Sequence, residues 1–394
     1  MRPLGLESPT APGVYVHVPF CAHKCDYCAF YSELLDPVLL QRYVEAICSE
    51  LRMLSADSSP RTLFFGGGTP SILPIKQWEM IIETIHELGW VDIVEWTVEC
   101  NPATVSKDKA SLLKQAGVNR ISMGIQSLHE DLLDGLGRVH SRDQVFRSYD
   151  TLRDVGFENV NLDLMFAIPF QTMDIWRETL HEVFTMSSEH LSCYEVIYED
   201  DTALFQQLKA GKFAVDEDLA DQMYATLVGE AQKKGFQQYE IANFAKETDV
   251  DKRQRYPSRA SRHNINYWEG GDYHGVGPAA TEYLQGHRRK HWANTQIYCD
   301  QVDLGKRGLD FEEILEQEAQ MGEAAAFSLR MNAGIDLVLF RERYGVCPVA
   351  KWSDTMHSLQ SRGWATLDED SFRLNAKGMR FADEAGSAFV FVEN

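Results

Sequence analysis

The chain has 394 residues, 44% of them hydrophobic, which is ample for one large core and a smaller second one. Its formal net charge of −21 disfavours nonspecific binding to DNA or RNA, because phosphates are repelled at long range. No run reaches the roughly 20 continuous apolar residues of a membrane span, and 8 cysteines are too sparse for a disulfide framework.

Met1 to Pro12 lacks the apolar run of a signal peptide. The expectation is a cytoplasmic protein with reduced thiols, at most peripheral to a membrane. Arg253 to Arg262 and His287 to His291 are candidate local basic patches within the acidic whole.

In chain order, Val14 to Val18 has strand chemistry and runs into Pro19-Phe20-Cys21. Pro37 to Leu54 predicts an amphipathic helix, and Thr62 to Phe65 a short strand ended by Gly66-Gly67-Gly68. Then come a helix (Ile75 to Leu88), a strand (Glu95 to Glu99) and a helix (Lys107 to Ala116) stopped by Gly117. Arg120 to Met123 reads as a strand, followed by helices at His129 to Leu136 and Arg142 to Val155. Asn161 to Phe166, Met173 to Phe184 and Leu191 to Val196 continue as strand, helix and strand.

Strands alternating with helices indicate a parallel sheet with crossover helices, here a partial (β/α)6 TIM-type barrel of α/β class. In such folds the reactive groups sit in loops after the strands. The cysteines, the glycines and Glu99 all fall there.

Ala245 to Arg262 reads as a charged loop. From about Gln301 the pattern changes to helices (Glu312 to Leu329, Val346 to Arg362) and a hairpin formed by Trp364 to Leu367 and Phe372 to Leu374. This predicts a C-terminal α+β, winged-helix-like module for packing or interaction, with DNA binding as the lesser alternative. The expected division is 1–245 for the barrel, 246–300 for a connecting segment and 301–394 for the C-terminal domain.

Cys21-Ala22-His23-Lys24-Cys25-Asp26-Tyr27-Cys28 stands apart from the other five cysteines, Cys48, Cys100, Cys193, Cys299 and Cys347, which read as small buried hydrophobes. Three thiolates on one short loop can wrap a single metal centre. Iron–sulfur clusters favour thiolates, normally one per iron, so three would leave one iron open to a ligand. The alternative is structural zinc, which wants four ligands, with His17 or His23 as the fourth.

This spacing, with the aromatic Tyr27 before the last cysteine, resembles the signature of the radical S-adenosylmethionine (SAM) superfamily. The resemblance implies a [4Fe–4S] cluster on Cys21, Cys25 and Cys28 whose open iron is chelated by SAM. In that family one electron from the cluster cleaves the sulfonium and releases a 5′-deoxyadenosyl radical. Gly66-Gly67-Gly68-Thr69-Pro70 resembles the family's loop that binds the methionine amino group, although a glycine run alone is often an ordinary tight turn. Glu99 is suited to ribose hydroxyls or the amino group, and Arg138 to the carboxylate through its planar fork of donors. Asp163 is flanked by apolar residues and needs a partner, either the ligand or Arg138.

From Val14 to Leu374 the chain is similar to the HemN/HemW subgroup of that superfamily, named for oxygen-independent coproporphyrinogen III dehydrogenase and a heme chaperone. By that resemblance Tyr15, Gly67, Gly68, Thr69, Glu99, Gln126, Arg138 and Asp163 match cofactor-contact positions. The dehydrogenase type carries a further cysteine two residues after the third, where this chain has Phe30. His263-Asn264-Ile265-Asn266-Tyr267-Trp268 looks like the chaperone type's His-Asn-x-x-Tyr-Trp motif.

His263 is therefore a candidate heme ligand, the alternative being a capping or core histidine beside a glycine-rich turn. His274 is a second candidate, or a surface residue. The chain departs from the chaperone pattern at His274, at Thr281 and in extra residues at about 247–256. The implied partners are heme, an apo-hemoprotein recipient that can lie at the membrane, and a small-protein or flavin electron donor, with no nucleic acid. Coproporphyrinogen III decarboxylation, or a methyltransferase or heme-degrading reaction on the same scaffold, are the alternatives.

Overall fold

A computed structural model describes residues 11–54, 59–248 and 255–390. The N-terminal segment read against a signal peptide, and most of the extra 247–256 loop, lie outside these residues.

Six parallel strands form the expected frame: β1 (Gly13–Val18), β2 (Thr62–Gly67), β3 (Glu95–Cys100), β4 (Arg120–Gln126), β5 (Val160–Phe166) and β6 (His190–Glu195). They are neighbours in chain order and pair in parallel throughout. The crossovers are α1 (Pro37–Met53), α2 (Ile75–Glu87), α3 (Lys107–Ala116), the pair α4 (Glu130–Gly135) and α5 (Arg142–Val155), and α6 (Met173–Thr185).

Local chemistry sets their ends. The Asp36 carboxylate accepts from the N–H groups of Val38 and Leu39 at the start of α1. Ser141 and Gln144 make a reciprocal capping box on α5, and Gly117 and Gly156 close α3 and α5 in the left-handed region.

Side chains alternate along each strand. Val14, Val16, Leu63, Phe65, Trp96, Val98, Ile121, Met123, Leu162 and Leu164 join the helices in one buried core. The opposite set, including Tyr15, Glu99, Ser122, Asp163 and Tyr194, lines the concave side. There Tyr15 feels Glu99, and Glu99 and Tyr194 both feel Asp163, so strands one, three, five and six curl toward each other. The lining is polar and partly solvent-accessible, unlike the branched aliphatic filling of a closed TIM barrel.

The sheet is wider than the sequence pattern indicated. After α7 (Ala203–Lys209) and α8 (Glu217–Lys233), β7 (Phe236–Gln238) and β8 (Asn243–Lys246) extend it antiparallel beyond β6. On the other side β9 (Tyr273–Val276) pairs parallel with β1, and β10 (Thr281–Leu284), β11 (His287–His291) and β12 (Leu309–Ile314) follow as an antiparallel meander. The helices α9 (Arg262–Trp268) and α10 (Thr295–Asp303) lie between them in sequence.

The boundary expected at 301 therefore falls inside this first unit. Arg42 of α1 pairs with Asp300 and Asp303 of α10 at 2.6 and 2.5 Å. Buried Glu50 of α1 accepts from His291 at 2.6 Å, Tyr298 at 2.6 Å and Arg307 at 3.1 Å. The expected basic patch at His287 to His291 is neutralised: Arg288 pairs with Glu313 and Glu323, and Arg289 with Glu282 and Glu312.

A second core gathers Met321, Leu329, Phe340, Trp352, Phe372 and Phe389. It contains α11 (Gln317–Ser328), α12 (Leu337–Tyr344), α13 (Pro348–Lys351) and α14 (Ser353–Ser361). The helix expected over Val346 to Arg362 is thus broken at Trp352. A three-stranded antiparallel sheet completes this α+β unit, with β15 (Ser371–Leu374) between β13 (Ile335–Asp336) and β14 (Ala365–Leu367).

Four of the five scattered cysteines are buried as expected. Cys347 is only half-buried, because it caps α13 and meets Arg341 Nη2 at 3.3 Å. Among the described residues no helix is long and apolar enough to cross a membrane.

Candidate functional site

β1 leads through Pro19 to Phe20–Cys21, a two-residue strand that pairs with Glu33–Leu34 and so pinches residues 22–32 into a loop at the barrel mouth. Two residues seat it. Asp26 donates its N–H to Leu136 O (3.1 Å), accepts from Leu204 N at its carbonyl (2.8 Å) and from Gln207 Nε2 at its carboxylate (3.0 Å). Tyr27 packs against a small apolar cluster of Leu132, Leu136, Met165, Ile168, Val196 and Leu204. The loop after β1 is thereby fastened to the loops after β4, β5 and β6.

All three thiols are half-exposed. Cys21 Sγ lies 3.6 Å from Thr69 Oγ1, and Arg138 Nη1 lies 3.6 Å from Cys25 Sγ. Burial raises the Cys21 and Cys28 thiols, and the Arg138 charge works against that rise at Cys21. Burial also opposes the charge of Arg138, but Tyr27 and Cys25 more than offset it. Among the described residues, no three His, Cys, Asp or Glu side chains are arranged to hold a single metal ion. Three soft donors beside a fixed cation are the set an anionic iron–sulfur cluster requires.

The glycine loop is shaped by the chain itself. Gly68 N donates to Val18 O (2.7 Å) and Thr69 N to Phe20 O (2.8 Å), which ties this loop to the strand entering the cysteines. Gly67 has φ +103°, and a Cβ there would stand 2.5 Å from the His17 ring; one on Gly68 would stand 2.7 Å from Phe20 O. Close packing against β1 therefore requires both glycines.

Gly67 N also donates to Glu99 Oε2 at 3.2 Å. Burial and then the Asp163 charge push the Glu99 carboxyl up to about 8, against the pull of Gly67 N–H and Arg120. Asp163 is raised by burial and held by Asn161 Nδ2 at 2.7 Å and Ser122 Oγ at 3.1 Å. Its hydrogen-bond partners within the chain are these residues and not Arg138, one of the two partners that the sequence suggested for it.

Arg138 Nη2 donates to Gly124 O at 2.6 Å, and its buried Nε has no partner. Gln126 sits at a bulge in the β4–β5 pairing with φ +60°, a conformation that costs a non-glycine residue energy and concentrates at functional sites. Tyr15 bonds His17 Nδ1 at 3.0 Å. Two lumen carboxylates without a cationic hydrogen-bond partner, an orphaned guanidinium donor and a strained amide fit a ligand that carries both amine and carboxylate.

His263 lies at the other end of the barrel. Glu95, at the start of β3, caps α9 by accepting from Arg262 N (2.9 Å) and His263 N (3.0 Å). The imidazole meets Thr62 Oγ1 at 2.8 Å through Nδ1 and Tyr267 OH at 2.9 Å through Nε2, and it stacks on Phe64. It is 1% exposed, and burial followed by the Arg120 charge lowers its pKa to about 3. With both ring nitrogens hydrogen-bonded and almost no exposed surface, His263 packs here as a core histidine, one of the two alternatives that the sequence left open for it. His274 is half-buried and bonds Glu282 at 3.0 Å.

Sequence reading missed two lumen residues. Tyr194 stands 43% exposed at the end of β6, and Arg120 is buried beneath Glu99 and Asp163 with its Nε unpartnered. Strict alternation along β4 and β6 was the signal that would have found both.

Comparison with known proteins gives a consistent result. The model of the Radical SAM superfamily matches residues 15–183, and that of the HemN C-terminal domain matches residues 315–381. The heme chaperone HemW of Bacillus subtilis is 31% identical over 384 residues, covering 95% of this chain and 98% of the relative. HemW of Lactococcus lactis is 30% identical over 387 residues, covering 98% of each. The solved coproporphyrinogen III oxidase (HemN) from Escherichia coli superposes with TM-score 0.82 at 20% identity, over 98% of this chain and 91% of that one. That last likeness is one of fold.

Proposed function

This chain belongs to the HemN/HemW subgroup of the radical SAM superfamily, and we propose that it carries heme to apo-hemoproteins such as respiratory cytochromes. In this reading Cys21, Cys25 and Cys28 hold a [4Fe–4S] cluster and the lumen binds SAM. The observation that carries it is the set of three half-exposed thiols at the barrel mouth, with Arg138 against Cys25 and Thr69 against Cys21. Full-length relation to curated heme chaperones supports the heme part.

When bound, the cluster supplies single electrons to a ligand on its open iron. The chain's own groups do the rest. Arg138, with its free Nε, takes the ligand carboxylate, while Glu99 and Asp163 take the amine and ribose hydroxyls and Gln126 adds an amide. Gly67, Gly68 and Thr69 keep the second loop against β1, Tyr27 seats the cysteine loop, and Tyr15 lines the lumen floor. A cytoplasmic site of action, an electron donor of small-protein or flavin type and a recipient at the membrane surface complete the proposal.

The test is transfer. Hemin-loaded, anaerobically reconstituted protein is mixed with an apo-cytochrome, and the Soret band of the recipient is followed. Appearance of holo-cytochrome is expected; no hemin binding by the reconstituted chain would sink the reading.

The second reading is coproporphyrinogen III decarboxylation. Phe30 stands where that type carries a further cysteine, and its apolar side chain has no donor to offer. Incubation with coproporphyrinogen III, SAM and reductant is expected to yield no protoporphyrinogen, and formation of that product would reverse the ranking.

A further inference from the structure

One chain of hydrogen bonds crosses the barrel from its floor to its lumen. Ser261, the residue that caps α9, donates its backbone N–H to Tyr239 Oη at 3.1 Å. Tyr239 Oη lies 2.8 Å from His190 Nε2, and His190 Nδ1 lies 2.6 Å from Asn161 Oδ1. Asn161 Nδ2 then donates to Asp163 Oδ1 and to Ser122 Oγ, both at 2.7 Å, and Ser122 Oγ donates to Asp163 Oδ2 at 3.1 Å. Ser261, Tyr239, His190 and Asn161 are each at most 2% exposed, and Asp163 alone is half-buried, facing the lumen.

The direction of donation along this chain is forced. A backbone N–H can only donate, so Tyr239 Oη accepts from Ser261 and directs its own hydrogen at His190 Nε2. Burial and then the Arg120 charge hold the His190 pKa well below its ordinary value, so the ring is neutral and carries its single proton on Nδ1. That proton goes to Asn161 Oδ1, which turns the amide nitrogen toward Asp163 and Ser122. A flipped amide would set its carbonyl against the Asp163 carboxylate. Tyr239 is itself held in place: its carbonyl accepts from Asn332 N at 3.0 Å, and it packs with Met331 and with Ile265 of α9.

Resting on the reading above that the lumen binds SAM, we propose that His190 is a positioning residue for that ligand. Its Nδ1 proton fixes the Asn161 amide, and the amide fixes the plane of the Asp163 carboxylate that meets the amine or ribose hydroxyls. Polar side chains buried inside a barrel cost free energy unless each is satisfied, and a fully satisfied network specifies one arrangement. Here the satisfied chain ends on a group offered to a ligand. Asn161 and Ser122 each hold one carboxylate oxygen, which leaves the other lone pairs of both oxygens for the lumen.

The experiment separates the two ring nitrogens. His190→Asn places an amide N–H where Nδ1 stands, and His190→Gln places one where Nε2 stands, so each keeps one partner and loses the other. SAM affinity of the reconstituted full-length protein is measured by equilibrium dialysis, with folding checked by circular dichroism. Tyr298→Phe is the control, removing an equally buried hydroxyl that donates to Glu50. His190→Gln is expected to weaken SAM by about 10-fold, the worth of one hydrogen bond to a charged group, with iron per chain unchanged. His190→Asn and Tyr298→Phe are expected to stay within about threefold of wild type. A histidine that only holds the fold predicts equal losses from its two variants. Equal losses, no loss, or a larger loss in His190→Asn would overturn the assignment and leave the SAM reading standing, whereas wild-type protein that binds no SAM would overturn that reading itself. A second measurement needs no variant: heteronuclear NMR of labelled histidine rings, with His190 identified through its contact with the Tyr239 ring, 5.6 Å away between centroids. A neutral ring protonated on Nδ1 is expected, and a proton on Nε2, or on both nitrogens, would overturn the relay.

Discussion

The two ends of the barrel are built from the same residue types and use them in opposite ways. At the floor, Glu95 caps α9, His263 bonds Thr62 and Tyr267, and His190 bonds Asn161 and Tyr239, so these buried groups find partners within the chain. At the mouth, Arg138 Nε has no partner, Glu99 and Asp163 have no cationic hydrogen-bond partner, and Gln126 and Phe170 are held in strained backbone. A buried polar group costs free energy unless it is satisfied. Groups satisfied internally hold the fold, and groups left wanting at a solvent-reachable cavity await a ligand. A motif histidine can therefore belong to the first class however functional its sequence context looks.

The sharpest way to break this division is to remove a mouth thiol. Cys25→Ala is expected to abolish cluster assembly, with iron and sulfide per chain falling to background while the denaturation midpoint of the cluster-free protein barely moves. At the floor, His263→Ala is expected to cost about 3 kcal/mol, from a cavity plus two orphaned hydroxyls, read as a lower urea midpoint. Iron content per folded chain should be unchanged. If that variant instead lost iron at full stability, the floor would be part of the site.

Arg138→Ala is expected to weaken SAM binding by about 10-fold or more, the worth of a charge-assisted hydrogen bond, measured by equilibrium dialysis. A buried lumen carboxyl adds a pH slope. Folding raises the Glu99 carboxyl from 4.5 to about 8, so the folded chain keeps a proton that the unfolded chain has released. Its stabilising contribution is full below 4.5 and is lost as pH rises through 8. Glu99→Gln should flatten that decline, seen as urea midpoints of the cofactor-free protein at pH 5.5 and 8.5 that differ less than in wild type.

Much of this was legible in the sequence where the signal is local. Helix ends at Asp36, Gly117, Ser141 and Gly156 are set by caps within a few residues, and the six strands by short apolar runs. The cysteine spacing pointed to its loop for the same reason. What escaped depends on contacts distant in the chain. β11 reads as a basic patch because its acidic partners on β12 lie more than 20 residues away in the register Arg288↔Glu313 and Arg289↔Glu312. The part played by His263 is decided by Thr62, 201 positions earlier. Likewise, the partners of Asp163 became clear only when β4 and β5 were side by side.

The central claim is that the mouth holds a cluster with one iron open to SAM. Low-temperature EPR of the anaerobically reconstituted, dithionite-reduced protein, recorded with and without SAM, tests it most directly. The account expects the signal of a reduced [4Fe–4S] cluster whose g-values shift when SAM is added and return when SAM is removed. A reduced-cluster signal that SAM leaves unchanged would contradict it.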